Sequence, residues 1–345
     1  MRRAEIAASS QPKKDWKRIL PGLIISLISL GIAFYFADWR KVLIAIRQAD
    51  YTFIALGYLT GILWLLARGF VWRTLLQEKA TYSQVFFTLN EGYLLNNILP
   101  FRLGEIGRSL LLAEKANLRF LQVFSTVIIE RGMDVGMAAG LLLVTIPFVV
   151  GGTWAKNAAL VAGALVIIGF SAMYLLARNS HRATAWFDQA TVRWSVLNRL
   201  GHGQLHAFLD GLEVITDAHR FLRAILWDLV NWGIAILQYY LFMLAFFPEG
   251  KLLWSSFALG ISSLGIAAPS SPGSLGVFEL VVVGALSVIG LDPAKALAMA
   301  LVTHSANYVL TGILGAYGLA QDGETITGLY HRLRQFSQGV SANSD

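Results

Sequence analysis

The chain has 345 residues, 56% of them hydrophobic and only 14% charged, with 28 Lys and Arg against 21 Asp and Glu for a net charge of +7. A soluble domain is usually about 25% charged, so this composition, with a mean hydropathy of +0.58, excludes an ordinary soluble fold. The absence of cysteine excludes disulfides, thiol catalysis and thiolate metal sites. The basic surplus lies beside apolar segments, where it sets orientation and meets anionic headgroups; it does not point to nucleic acid.

Residues 1–18 form a basic head with Arg2, Arg3, Lys13, Lys14, Lys17 and Arg18, expected on the cytoplasmic side. A helix needs roughly 20 apolar residues to cross a 30 Å hydrocarbon core, and the uncharged windows Leu20–Ala37, Tyr51–Ala67, Val135–Ala155, Asn157–Ala177, Leu229–Pro248, Leu252–Phe278 and Ala296–Gln321 supply candidates. No A-x-A cleavage site follows the first, so it reads as an uncleaved anchor over about 19–37. Span two, about 51–72, returns; Arg68 and Arg73 with Trp64 and Trp72 read as its ordinary interfacial end.

Lys115 and Arg119 again read as cytoplasmic, so the segment 84–114 must enter the membrane and come back. Span three, about 121–150, exits, and span four, about 157–177, returns to a polar linker, 178–222. Span five, about 224–247, exits. Segment 252–291 is interrupted by PSSPGSLG at 269–276, which holds no Lys or Arg. Its two arms are thin spans or, the reading favoured here, a re-entrant hairpin. The last span, about 295–319, delivers a tail at 321–345 to the cytoplasm, so both termini are expected there.

Both interruptions read P-x-x-L-G, Pro100 to Gly104 and Pro272 to Gly276. Residues 51–150 and 222–320 are therefore expected to form an inverted-topology repeat. The fold class is all-α polytopic: about six full transmembrane helices plus two broken, re-entrant hairpins, in one domain over 19–320.

Broken helices are tolerated at membrane depth where freed backbone groups face protein or a wet cavity. Asn96 and Asn97 precede the first break, and Arg102, Glu105 and Arg108 follow at i, i+3, i+6 along one side of the restarting helix. That line suits a phosphate held by Arg while Glu orients it; alternatively the two arginines snorkel to water. Span three opens VIIERGMDVG. Glu130 lies about 14 Å deep if that span starts near Leu121, with Arg131 and Asp134 beside it, and the alternative places ERGMD at the interface. In the second half Glu279 follows the break Pro269, Pro272, Gly273, Gly276, and His304 and Asn307 lie at i, i+3 in the last span. His304 is a proton-linked switch or a polar residue bonding between helices. No Walker loop, H-E-x-x-H or G-x-S-x-G is present, and no metal or cofactor is implied.

With NILPFRLGEIGR (97–108), ERGMD (130–134) and PSSPGSLGVFE (269–279), the chain resembles the lysylphosphatidylglycerol synthase transmembrane-region family, also described as flippase-like membrane proteins. The resemblance covers about 80–321 and implies movement of lipids between leaflets of a bacterial cytoplasmic (inner) membrane. No synthase domain follows the last span, so a stand-alone member is expected. Relatives often carry an Arg in the last span where this chain has Thr303-His304.

The leading expectation is a lipid transporter and not an enzyme, its substrate an anionic phospholipid or a polyprenyl-phosphate-type carrier. The alternatives are a membrane-embedded glycosyl- or lipid-transferase with Glu105 or Asp134 as base, and a non-transporting partner of a lipid-modifying enzyme.

Overall fold

In a computed structural model of the protein, residues 38–99, 102–149, 153–191, 195–266 and 272–329 are described, with Ile28, Gly31, Ile32 and Arg332. The expected first span at 19–37 and the breaking prolines Pro100 and Pro269 therefore lie outside the described residues, except for three positions of the former. Every regular element among the described residues is helical.

A short amphipathic helix α1 (Trp39–Gln48) leads to α2 (Tyr51–Leu75), capped by the Asp50 carboxylate, which accepts from the Thr52 N–H at 2.8 Å. Then come α3 (Tyr82–Ile98), α4 (Leu103–Lys115), α5 (Phe120–Val149), α6 (Thr153–Arg178), α7 (Ser180–Thr191) and α8 (Ser195–Leu212). The second half comprises α9 (Ala218–Phe246), α10 (Leu252–Gly265), a 3₁₀ turn at Pro272–Ser274, α11 (Val277–Val288) and α12 (Pro293–Gln321). Local sequence fixes the starts: Thr81 and Gln84 form a capping box on α3, Asp217 caps α9, and Asp292 with Pro293 opens α12.

Four helices, α2, α5, α9 and α12, are long and apolar enough to cross a membrane. A fifth span results if the pair Gly163–Arg178 and Ser180–Thr191, bent by 83°, counts as one. The expected count of six full spans is thus not reached among the described residues. The linker expected at 178–222 is not extended: α7 and α8 fold back, and α8 packs on α5.

The remaining apolar helices are short. At 1.5 Å per residue, α3 is about 25 Å long, α4 about 20 Å, α10 about 21 Å and α11 about 18 Å, each less than a core of about 30 Å. They pack inward against the long helices, α3 on α12 and α10 on α5, while α2 lies along α9. Small residues make these crossings close. A Cβ on Gly57 would run into the Phe242 ring, one on Gly315 into the Asn90 carbonyl, and one on Gly318 into the Glu91 carboxylate. The two short pairs, α3–α4 and α10–α11, thereby bring their broken ends into the interior.

Candidate functional site

At the first break α3 ends on Leu99, whose backbone is extended. Arg102, immediately before α4, sits in the left-handed region at φ 54°, ψ 36°, a conformation that costs a non-glycine residue about 1–2 kcal/mol. The start of α4 is then satisfied from across the break: the Gly104 N–H donates to Asn96 Oδ1 at 2.9 Å. Gly104 is required there, because a Cβ would collide with the Gly92 carbonyl oxygen. Gly92 in turn leaves room for the Arg108 side chain, which a Cβ on Gly92 would strike. Asn97 donates to Thr311 Oγ1 of α12 at 3.0 Å. The Arg102 guanidinium reaches out of the break and donates to the Ile266 carbonyl, at the end of α10, at 2.6 Å. The two breaks are therefore joined directly.

Behind Arg102 lies a network of three arginines and four carboxylates, drawn from α2, α4, α5 and α9. Arg68 makes a two-pronged contact with Asp134, at 2.7 and 2.6 Å, and also meets Glu130 at 2.5 Å and Asp228 at 3.5 Å. Arg108 donates to Glu105 at 2.8 Å and to Glu130 at 3.0 Å, with its guanidinium 4.5 Å from the centre of the Trp72 ring. Arg131 meets Glu130 at 2.8 Å, Asp134 at 3.2 Å and Glu105 at 3.6 Å. Trp72 is fixed in place by donating its indole N–H to Thr126 Oγ1 at 3.1 Å.

Burial divides this network into two layers. Glu130 is wholly enclosed and the Arg68 and Arg108 side chains are 1–2% exposed, whereas Arg131 is 34% and Asp134 20% exposed. Arg102 is exposed and within electrostatic reach of Arg131, Glu105 and Asp134. Arg68, Arg108 and Arg131 are all held by carboxylates, and Arg131 and Arg102 are the more exposed of the four arginines. Guanidinium groups stay charged and present donors in a fork that matches phosphate oxygens. The network lies about 15 Å along α5 and α9 from the ends where these helices begin, at 1.5 Å per residue.

The sequence-predicted residues Arg102, Glu105, Arg108, Glu130, Arg131 and Asp134 thus come together. Two residues read as an interfacial helix end do not sit there: Arg68 is at the network's centre and Trp72 is fully buried under Arg108. Arg73 of that group donates to the Ala80 carbonyl at 3.2 Å, and Trp64 stacks on Tyr93 with ring centroids 6.0 Å apart. Asp228 was missed, although it stands one residue before the uncharged window Leu229–Pro248; a carboxylate about ten residues inside a helix that must cross the bilayer was the available signal.

At the second break Gly273, Ser274 and Gly276 all have positive φ, at 63°, 59° and 83°. The Glu279 carboxylate accepts from the Gly276 N–H at 2.6 Å, capping α11, and its other oxygen lies 2.6 Å from His304 Nδ1. His304 Nε2 is 2.9 Å from the Gly273 carbonyl oxygen. The partner of Glu279 is thus His304, on the neighbouring α12. Asn307 is exposed and lies apart from this pair.

A third charged group ties the far ends of these helices. Glu91, fully buried in α3, pairs with Lys115 at 2.9 Å, and Lys115 also contacts Asp322 just beyond α12. Among the described residues no cluster of His, Asp and Glu is arranged to hold a metal ion.

A sequence model of the lysylphosphatidylglycerol synthase TM region matches residues 19–315. The protein named glycosyltransferase AglD of Haloferax volcanii is 23% identical over 335 residues, covering 87% of this chain and 53% of AglD. The chain thus spans about half the length of that relative. Two UPF0104 membrane proteins of Methanothermobacter thermautotrophicus are 23% and 22% identical, covering 90% and 88% of this chain and 94% and 96% of their own lengths. No solved structure matches. With four or five helices among the described residues long and apolar enough to cross a membrane, and the family match over nearly all of them, the chain is an integral membrane protein belonging to the lysylphosphatidylglycerol synthase TM region family.

Proposed function

We propose that the protein moves a phosphate-headed lipid, a phospholipid or a lipid-linked phosphate carrier, between leaflets. The observation that carries this reading is the direct bond from Arg102 at one break to the Ile266 carbonyl at the other, beside a partly exposed Arg131. Short arms that meet inside the protein give a polar passage whose backbone groups face protein and not lipid. In this reading α3–α4 enters from the cytoplasmic side and α10–α11 from the opposite side, as an inverted repeat, with both termini cytoplasmic.

The headgroup phosphate would be met by Arg102 and Arg131, which retain exposure. Arg108, the second phosphate ligand suggested by spacing, instead holds Glu105 and Glu130 in place. The network supports the reading electrostatically: with Arg102 included, four arginines face four carboxylates, so an arriving phosphate exchanges with Glu105 or Asp134 for an existing cation. In liposomes containing the purified protein, transbilayer movement of a labelled anionic lipid is expected to exceed that in empty vesicles. Arg102→Ala and Arg131→Ala should each abolish the excess. Equal rates with and without protein, or full activity in both variants, would sink it.

The name of AglD supports a second reading, a membrane part that serves sugar transfer to a lipid-linked carrier, with Glu105 or Asp134 as base. It predicts a glycosylated lipid product from purified protein, donor and lipid acceptor. Loss of that product on Glu105→Gln, with lipid movement unaffected, would favour it over transport.

A further inference from the structure

We infer that the second break contains a proton-binding site, formed by Glu279 and His304, that latches the Pro272–Gly276 turn to α12. The site is held by four contacts. Glu279 bonds to the Gly276 N–H and His304, His304 bonds to the Gly273 carbonyl, and Tyr308 of the same helix donates to the Pro272 carbonyl at 3.4 Å. The His304 ring is packed between Phe278 and Tyr308, with centroids 4.6 and 4.8 Å away. Gly273 fits there because a Cβ would overlap the Tyr308 hydroxyl.

The count of hydrogens makes this a proton site. One imidazole ring faces two acceptors, a carboxylate oxygen at Nδ1 and a carbonyl oxygen at Nε2. A neutral imidazole carries one N–H. If that hydrogen is on Nε2, the ionised carboxylate faces the Nδ1 lone pair; if it is on Nδ1, the Gly273 carbonyl faces the Nε2 lone pair. Both contacts are bonds only when one further proton is present. It sits either on the ring, giving imidazolium and carboxylate, or on the carboxyl, giving Glu–OH donating to Nδ1. Release of that proton to water converts one of the two contacts into a buried repulsion, and the turn loses a tie to α12.

Among the described residues no other ionisable group is placed to replace that proton. Apart from Glu279, α10 and α11 carry no ionisable side chain, and on α12 Tyr308 is already committed to Pro272. From the other packed helices, Tyr239 of α9 bonds to Ser262, Tyr58 of α2 bonds to Ser305, and Arg102 is engaged by Ile266. His304 is 9% exposed on its side chain, which gives the proton an exit, while Glu279 is 1% exposed.

The test uses the full chain in lipid nanodiscs. Leu275, half-exposed beside the turn, is replaced by Cys in this cysteine-free protein and labelled with a maleimide across pH 5–9. Each rate is divided by that of the same variant unfolded in SDS at the same pH, which removes the thiol's own titration. The normalised rate should rise about tenfold or more from low to high pH, the change in opening that loss of a buried charged hydrogen bond produces. Glu279→Gln should be flat and slow. Its amide donates to Nδ1 and its carbonyl accepts from Gly276, which mimics the protonated pair. His304→Ala should be flat and fast, and if it does not fold the Gln variant alone decides. A flat wild-type profile, or a Glu279→Gln profile that still follows the wild type, would overturn the site. Neither result depends on lipid movement, so the latch and the transport reading fail separately.

Discussion

The two breaks solve one problem with different chemistry. At the first, the helix restarts beside a network of arginines and carboxylates, with Asn96 as its cap and Arg102 in a left-handed conformation. At the second, three positive-φ residues make the turn, and one carboxylate and one imidazole hold it within an otherwise uncharged region. Arginine keeps its charge at any accessible pH, so the cations of the first break are fixed. The second depends on a single hydrogen shared between two titratable groups. On the readings proposed above, binding belongs to the first half and switching to the second.

The largest effect should come from removing the fixed charge. Arg68→Ala would leave Glu130, Asp134 and Asp228 facing one another, with only Arg108 and Arg131 to compensate. Breaking a buried ion pair by deleting one partner costs about 3–5 kcal/mol. We expect that loss in an SDS titration of the purified protein in micelles, with Arg68→Lys recovering part of it but not the two-pronged contact to Asp134. Stability unchanged by Arg68→Ala would show that the network is not structural, and would remove the contrast with the second break.

Much of this arrangement was legible in the sequence. The two P-x-x-L-G interruptions located both breaks, and Glu130 placed at span depth pointed to buried charge. The weak point was the end of each apolar window. Arg68 follows the uncharged run Tyr51–Ala67 immediately and reads as an interfacial end, and Asp228, which precedes Leu229–Pro248 immediately, drew no reading. They are instead inside helices that continue beyond them, α2 to Leu75 and α9 back to Ala218. An uncharged window reports where charge is absent, not where the helix or the protein interior ends. The pairing of Glu279 with His304 was out of reach for another reason: they lie 25 residues apart on consecutive helices, and only the fold brings α11 against α12.

An intermediate effect separates the backbone role of Arg102 from its side-chain role. Arg102→Gly removes the left-handed strain, worth about 1–2 kcal/mol in a residue with a Cβ, while Arg102→Ala keeps it. Both lose the bond to the Ile266 carbonyl. The Gly variant should therefore be the more stable of the two by about 1 kcal/mol, whereas lipid movement should be lost equally in both. If the Gly variant kept its transport activity, the guanidinium would be dispensable, and the first break would owe its function to backbone shape.

The smallest effect tests how the first break is tied to the second half's last helix. Asn97 donates to Thr311 Oγ1, and that hydroxyl donates onward to the Asn307 carbonyl. Asn307 therefore contributes a backbone atom, and its own side chain is exposed. Asn97→Ala should cost about 0.6–1 kcal/mol, the usual range for a hydrogen bond between helices in a membrane, and Asn307→Ala should fall within about 0.5 kcal/mol of wild type. In a Thr311→Val background, Asn97→Ala should add almost nothing, because its partner is already gone. An undiminished cost there would mean that Asn97 acts within the break itself, and that the two halves are joined through Arg102 and Ile266 without this second tie.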